Sequence, residues 1–525
     1  MGADSTYYPF TEQKEMTIDL ETLEVDRVDH WNFDGKTNQL DRQGFAARLD
    51  EYQQADFLRF TDGLNEDQLV AFVGITTTKD KLVTLSGSGG TGKTFTLIRI
   101  LKHFLSLQYS VAGIAPTHKA CNVMRSMGAE LGSDVEFCTL SAALRLKPGR
   151  NEVGKKETQS NSRSKRAQIH EFDVVWIDEC SQVKQSELKL ILANPAQKLI
   201  IFTGDEKQMS PYGELSSPVF RMVMELYRLT RVERYGGVLA DYVQSVREDM
   251  QAAKLPVLNT AYDTTSKDTG IVKYTDSDAW MNVIKSAFGS DAYKKNPDHC
   301  KAIAYRNARV SVLNIFIRNV IHPGVTDRFV EGDKLVTKSP IFTFDQFGEI
   351  NQFPAFNTQE ELFVFSATIG ESIVDNLTIK HWIIEVSSDS RFNAHTLTPV
   401  HADSEKDLSE WLLATRLDLK DGSCKKWSWK GFDEVLQKYL IDDKEVRNKK
   451  GQVIGITYES VLSYAFAITA FSAQGSTYSN VFVDLKDIDV LLKVGTDTLT
   501  EKREKRNKAA YVALTRASKR VFALV

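Results

Sequence analysis

At 525 residues the chain is too long for one compact core, which points to two to four domains. Hydrophobic residues at 42% and charged residues at 26% suit a soluble globular protein, and no apolar run approaches the roughly 18 residues needed to span a bilayer. A net charge of −4 does not by itself mark a polyanion binder, and five cysteines without a close pair exclude a zinc ribbon and argue against a disulfide framework, so a reducing cytoplasm without membrane contact is expected.

Residues 1–61 read as an acidic N-terminal extension. Its first 60 positions hold 13 acidic and 6 basic side chains, with no clear period until FAARLDEYQQADFLRF, which reads as an amphipathic helix. From Leu64 the texture becomes alternately strand and helix: LVTLSG, a helix over 93–106, then VAGIAPT, VVWIDE and LIIFTGD. Short β-rich runs ending in loops that precede helices predict a parallel sheet with crossovers, hence a first α/β domain over 62–228. Within it, 144–170 breaks the pattern. Residues 145–170 carry eight Lys/Arg, two acids and no aromatic, and read as a mobile basic insertion. A second α/β region covers 229–330 and resumes at 461–525, where SYAFAITAFSAQG leads to the closing strand SKRVFALV. The strand-rich segment 331–460 between them, with the helical stretch DSEKDLSEWLLATRLDL, predicts an inserted domain.

The strongest chemical signal is GSGGTGKT, placed after a strand and opening a helix. Gly87, Ser88, Gly89, Gly90, Thr91 and Gly92 form a loop whose backbone N–H groups can cradle phosphate, with the helix N-terminus adding its partial positive charge. Lys93 is expected to reach the β- and γ-phosphates of ATP, and Thr94 to bind Mg²⁺. VVWIDE delivers Asp178 and Glu179 at a buried strand tip, which is costly unless a cation or substrate engages them. Asp178 suits the shell of Mg²⁺ and Glu179 the polarisation of an attacking water. After LIIFTGD, Gln208 can hydrogen-bond both a γ-phosphate oxygen and that water.

The ordered set LNEDQ with Gln68, GSGGTGKT, APTHKA, VVWIDE, GDEKQ and YVALTRA resembles the motif series of superfamily 1 DNA helicases. Its wording is similar to the 5′-to-3′ branch, superfamily 1B, that holds the RecD-like enzymes and, most closely, the bacteriophage Dda helicases. The resemblance runs from about Leu64 to Val525. It implies two RecA-like P-loop NTPase domains, with 144–170 as a pin-like insertion and 331–460 as a largely β, SH3-like domain with a helical extension. It also implies that Gln68 reads the adenine edge and that Arg234 and Arg516 reach across a cleft to the γ-phosphate, Arg231 being a competitor for the first of these roles. Pro116, Thr117 and His118 would lie on the strand track, followed by Thr139 and Ser141, with Thr469 and Gly475 serving strand and nucleotide.

One departure stands out. The family's usual Thr-x-His-Lys-x-Gln-Gly run reads Thr469, Ala470, Phe471, Ser472, Ala473, Gln474, Gly475. Phe471 could offer a base-stacking face in place of the missing cation, or simply pack in the core. Trp427 and Trp429, among lysines, pose the same choice. The resemblance implies an ATP-dependent helicase or translocase on single-stranded and forked DNA in phage-type replication, recombination or repair. Monomeric action is expected, beside partners such as a single-strand-binding protein, a polymerase or primosome components. The alternatives are an ATP-gated DNA-binding or recruitment subunit and a nuclease-associated RecD-like motor.

Overall fold

The computed structural model describes residues 51–525 apart from 117, 131–134, 151–155, 161–167, 194–198, 212–213, 215, 223–224, 233–236, 265–267, 345–347, 349, 352–353, 389–393 and 449–451. Strands buried on both faces read as unbroken apolar runs. Four such runs in the first half are buried at every position: β1 (Leu82–Gly87), β2 (Val111–Ala115), β6 (Val174–Ile177) and β7 (Leu199–Gly204). With β3 (Glu136–Thr139) and β8 (Glu225–Leu229) at the edges they form one sheet in the order β3-β2-β6-β7-β1-β8, every neighbouring pair parallel. Apolar clusters cover both faces, one around Phe72, Leu97 and Trp176, the other around Ile177, Ile191 and Phe202.

The basic stretch is more ordered than its composition predicts. β4 (Leu146–Arg150) and β5 (Lys156–Ser160) pair antiparallel from Leu146↔Ser160 to Arg150↔Lys156 as a two-stranded ribbon, so the expectation of a mobile insertion is corrected over these residues. Pairing of main-chain groups does not require the apolar alternation whose absence suggested a loop.

A second sheet has the order β19-β11-β20-β21-β10-β9. Its strands are β9 (Ala261–Tyr262), β10 (Gly270–Tyr274), β11 (Cys300–Ala304), β19 (Ala467–Thr469), β20 (Tyr478–Asp484) and β21 (Ala517–Leu524). All pairs are parallel except the short edge strand β9. Between β11 and β19 the chain leaves to build an antiparallel sheet, β15-β14-β13-β12-β18. This sheet comprises β12 (Lys334–Thr337), β13 (Glu361–Val374), β14 (Leu377–Ser387), β15 (His395–Leu397) and β18 (Leu462–Tyr464). Because Leu462–Tyr464 pairs with β12, the inserted sheet extends beyond the expected end at 460. A separate hairpin, β16 (Ile441–Arg447) with β17 (Val453–Ser460), precedes β18.

Two helices, Ala402–Asp421 and Trp429–Lys438, pack on the inserted domain. Trp411 and Trp427 meet edge to face at 5.0 Å, Trp429 meets Phe432 at 5.8 Å, and all three indoles are partly buried against Leu408, Leu412 and Phe432. The Trp427/Trp429 pair is therefore core packing, as the apolar face of its helix dictates.

The inserted sheet is tied to the second parallel sheet by buried charge. Lys301 on β11 donates to Glu361 on β13 at 2.8 Å, Lys334 on β12 approaches the same carboxylate at 3.1 Å, and the Tyr478 hydroxyl donates to its other oxygen at 2.5 Å. Burial opposes the charge on Lys334, but Glu361 and Asp298 outweigh it and hold the ammonium above its usual range.

Candidate active site

The phosphate-loop sequence occupies the turn from β1 into the helix Lys93–Ser106. Gly90 and Gly92 have φ of +89° and +81°, a region that costs a side-chain-bearing residue about 1 kcal/mol or more. At Gly92 space is also closed, because a Cβ would lie 2.4 Å from Gln68 Nε2. Gln68 stands behind the loop. Its backbone N–H donates to Asn65 Oδ1 at 3.0 Å, its Oε1 accepts from Asn65 N at 3.1 Å, and its Nε2 donates to the Thr91 carbonyl at 3.1 Å. The side chain expected to read adenine is thus a capping-box residue that buttresses the loop. Thr91 Oγ1 donates to the Ser88 carbonyl at 3.0 Å, and Lys93 Nζ donates to the carbonyls of Gly87 and Ser88 at 2.9 and 3.0 Å.

Asp178 follows β6 directly. Its Oδ1 accepts from Thr203 Oγ1 on neighbouring β7 at 2.7 Å, and that hydroxyl accepts in turn from Trp176 Nε1 at 2.6 Å, so two adjacent parallel strands fix the carboxylate. Glu179 has φ +50° and ψ +42°, a left-handed conformation uncommon for a glutamate and characteristic of functional sites. Its Oε2 is buried and has no hydrogen-bond partner among the described residues. Burial pushes both carboxyls above their usual range. For Glu179 the Asp178 charge adds to the rise, while Lys93 and Arg516 oppose it.

Past β7, Gln208 is buried, and Gln474 Nε2 lies 3.4 Å from the Met209 carbonyl, one residue further on. Arg516 follows the helix Leu499–Leu514, which belongs to the second sheet's domain. It is only 2% exposed. Its guanidinium donates to the carbonyls of Val512 at 3.0 Å and Ser476 at 3.2 Å, and to Thr515 Oγ1 at 2.8 Å. A cavity of about 280 Å³ is lined by Gly89, Gly90, Gly92, Lys93, Thr94, Asp178, Glu179 and Gln208 on one side, and by Gly475 and Arg516 on the other. Loop, carboxylates and arginine come from two separate sheets and meet in one crevice. Residues 63–265 match the family model of an AAA domain.

That span holds the phosphate loop, both carboxylates and Gln208, so the first sheet is the P-loop module of the chain. An uncharacterized protein of Acanthamoeba polyphaga mimivirus is 24% identical over 515 residues, spanning 87% of this chain and 98% of that protein. Among solved structures, the Pif1 helicase from Candida albicans is similar, with a TM-score of 0.44 at 16% identity over 88% of this chain and 94% of that one. A Pif1 helicase from Bacteroides, solved in complex with ADP-AlF3 and single-stranded DNA, has a TM-score of 0.43 at 13% identity over 88% and 92%.

The residues expected on a strand track are placed less uniformly. Thr139 is buried, and its hydroxyl caps the short helix Leu140–Ala143 by accepting from Ala142 N at 3.3 Å, with half-buried Ser141 in the first turn. Pro116, half-buried, follows β2, and His118 opens the helix His118–Glu130; the His118 side chain, Thr117 and Arg234 lie outside what is described. The competitor Arg231 is exposed. Phe471 is half-buried, in the turn after β19. Thr469 Oγ1 lies 2.8 Å from Ser472 Oγ and accepts from Ser472 N at 3.1 Å.

Both of these residues line a second, larger cavity of about 790 Å³ between the second sheet's domain and the inserted sheet, with Arg328, Lys338 and Lys444 on its wall. Burial, then the nearby Lys444 charge, hold the Lys338 ammonium below its usual range. Glu459 stands on the same wall and pairs with Lys444 at 2.7 Å, and Arg328 pairs with Glu405 at 2.7 Å. No sequence motif marked these three cations, of which Arg328 lies just before the inserted domain and Lys338 and Lys444 in two stretches of it.

Proposed function

We propose that the chain is an ATP-hydrolysing motor that moves on single-stranded DNA, of the superfamily 1B helicase kind. The observation that carries this reading is the crevice in which Lys93, Asp178, Glu179 and Gln208 of one parallel-sheet domain face Arg516 of another. A triphosphate seated there would be gripped by both halves. In that arrangement Lys93 takes the β- and γ-phosphates, and Glu179, with an unpartnered buried oxygen, accepts the proton of the attacking water. Arg516 stabilises charge on the leaving γ-phosphoryl only when the halves are together, so hydrolysis is gated by closure. Among the described residues no group of three or more His, Cys, Asp or Glu could hold a metal alone, which suits Mg²⁺ shared between phosphates and a few side chains. Thr94 and Asp178 would hold that Mg²⁺, which supplies charge neutralisation on the phosphates.

The larger cavity is the proposed strand site. Hydroxyls of Thr469 and Ser472 and the Lys338 ammonium, on the same cavity wall, would hold phosphates without reading sequence; Arg328 and Lys444 would join them only by exchanging Glu405 and Glu459 for phosphate, and an arriving phosphate would favour Lys338's charge. The basic ribbon β4–β5 is the proposed strand-separating pin. Movement 5′-to-3′, forked DNA as substrate, and work beside replication or recombination proteins complete the reading; these rest on the motif resemblance.

The test is ATP turnover with and without single-stranded DNA, followed by unwinding of duplexes bearing a 5′ or a 3′ tail. Turnover should rise at least tenfold with DNA and vanish in Lys93→Ala, and only the 5′-tailed duplex should open. DNA-dependent turnover without unwinding or displacement of a bound protein would favour the recruitment subunit instead, and turnover indifferent to DNA would refute both.

A further inference from the structure

Asp205, immediately after β7, is fully buried, yet it takes no part in the chemistry proposed above. On its own side the Lys207 N–H donates to Oδ1 at 3.1 Å; its side-chain partners lie across the crevice. Oδ1 accepts from Arg247 Nη2 at 3.2 Å, and Oδ2 accepts from the Tyr511 hydroxyl at 2.6 Å. Arg247 belongs to the helix Gly237–Glu248 and Tyr511 to the helix Leu499–Leu514. Those two helices are joined to each other. Arg506 Nη2 donates to the carbonyls of Ala252 and Ala253 at 3.2 and 3.1 Å, and Asn507 Nδ2 donates to the Met250 carbonyl at 3.1 Å, just past the end of the first helix. One carboxylate therefore grips a two-helix unit at two points.

Both ends of this contact lead to the nucleotide crevice. On the first side, the Gln208 N–H donates to the Asp205 carbonyl at 3.0 Å, so the carboxylate and the Gln208 side chain share one tight turn. On the second side, Tyr511 precedes Arg516 by five residues, and Arg516 is itself fixed to the end of that helix through the Val512 carbonyl and Thr515. A shift of the helix carries the guanidinium with it. We propose that Asp205, Arg247 and Tyr511 form an interdomain latch whose closure sets how far Arg516 reaches into the crevice beside Lys93 and Glu179.

This rests on the reading of the crevice as an ATP-hydrolysing site. Latch residues are positioning residues: none of the three is among the side chains that line the crevice, and they act through Arg516. Breaking the latch should leave nucleotide capture, which belongs to the first domain's loop, intact, and should slow the step that needs the arginine.

The test compares the full-length wild type with Tyr511→Phe, which removes one hydroxyl and keeps the buried ring. Read-outs are kcat and KM for ATP with single-stranded DNA, affinity for a fluorescent ADP analogue, and Tm. The expected result is a fall in kcat of about tenfold, the scale of losing a hydrogen bond to a buried charge, with KM and ADP affinity within about twofold of wild type. In an Asp205→Ala background, Tyr511→Phe should cost much less turnover than in the wild type, because the carboxylate that links the hydroxyl to the first domain is already gone and only its contact with Arg247, within the second domain, remains. Wild-type kcat in Tyr511→Phe, or a loss of ADP affinity equal to the loss of kcat, overturns the latch while leaving the motor standing. A wild-type chain that hydrolyses no ATP overturns both.

Discussion

Glu179 is held against its preferences by a left-handed backbone, burial and the adjacent Asp178. Its carboxyl is raised above the usual range, so the folded chain binds the proton more tightly than the unfolded chain does. As pH rises from the ordinary glutamate pKa through the raised folded value, the unfolded state ionises first and stability is lost. Above the folded value the whole penalty is present. Glu179→Gln should therefore raise Tm at pH 8 by about 1–3 °C, a difference that shrinks towards pH 5. The same substitution should cut turnover at least a hundredfold with nucleotide affinity retained, as removal of a general base does. Scanning fluorimetry at the two pH values checks the first expectation, and a stability loss at pH 8 would contradict it. In the wild type, the acid limb of kcat should fall above the ordinary carboxylate range, because ionised Glu179 is the working form.

Glu179 stood out in the sequence because a buried apolar strand rarely ends in two carboxylates unless a cation or a substrate engages them. Asp205 was visible as the end of the next strand, but its partners were not. Arg247 and Tyr511 lie in helices where an arginine or a tyrosine is unremarkable, and only tertiary packing brings them to one carboxylate. Gln68 shows the converse: the LNEDQ signature marked it only as a reader of adenine, while its amide bonds Asn65 and Thr91, local capping that the motif does not reveal.

Among elements, the phosphate-loop turn, the closing strand Ala517–Leu524 and the helices Lys93–Ser106 and Ala402–Asp421 were readable from periodicity and breakers, whereas Leu499–Leu514 was not singled out. The β4–β5 ribbon was not, since main-chain pairing left no trace in its Lys/Arg/Ser composition. As a pin it should matter for strand separation and little for fuel use. Replacing residues 147–159 by a short Gly-Ser turn should leave DNA-stimulated ATP turnover within about twofold and lower fork unwinding at least tenfold; equal losses in both assays would contradict a pin. The Lys301–Glu361–Lys334 cluster is another element-level feature that sequence concealed, because its members come from three strands of two sheets. Glu361→Ala leaves two buried ammonium groups without that carboxylate and should destabilise the protein by about 3–5 kcal/mol, measured by denaturant unfolding. A change under 1 kcal/mol would show that water or Asp298 carries the charge instead.

For the whole molecule, two parallel-sheet domains enclose the nucleotide crevice, and the second domain shares the larger, cation-walled cavity with the inserted sheet. The turn after β19 carries Ser472 on the larger cavity and Gly475 on the crevice beside Arg516, so in the proposed motor a change in the reach of Arg516 would be felt by the body that carries Thr469 and Ser472. That coupling is the central claim: the state of the nucleotide alters the hold on a polynucleotide. It is tested most directly by fluorescence anisotropy of a labelled single-stranded oligonucleotide, titrated with protein alone, with ADP and with ADP–aluminium fluoride. The account predicts affinities that differ by at least threefold between nucleotide states in the wild type and become equal in Arg516→Ala. Identical affinities in all three states for the wild type would contradict it.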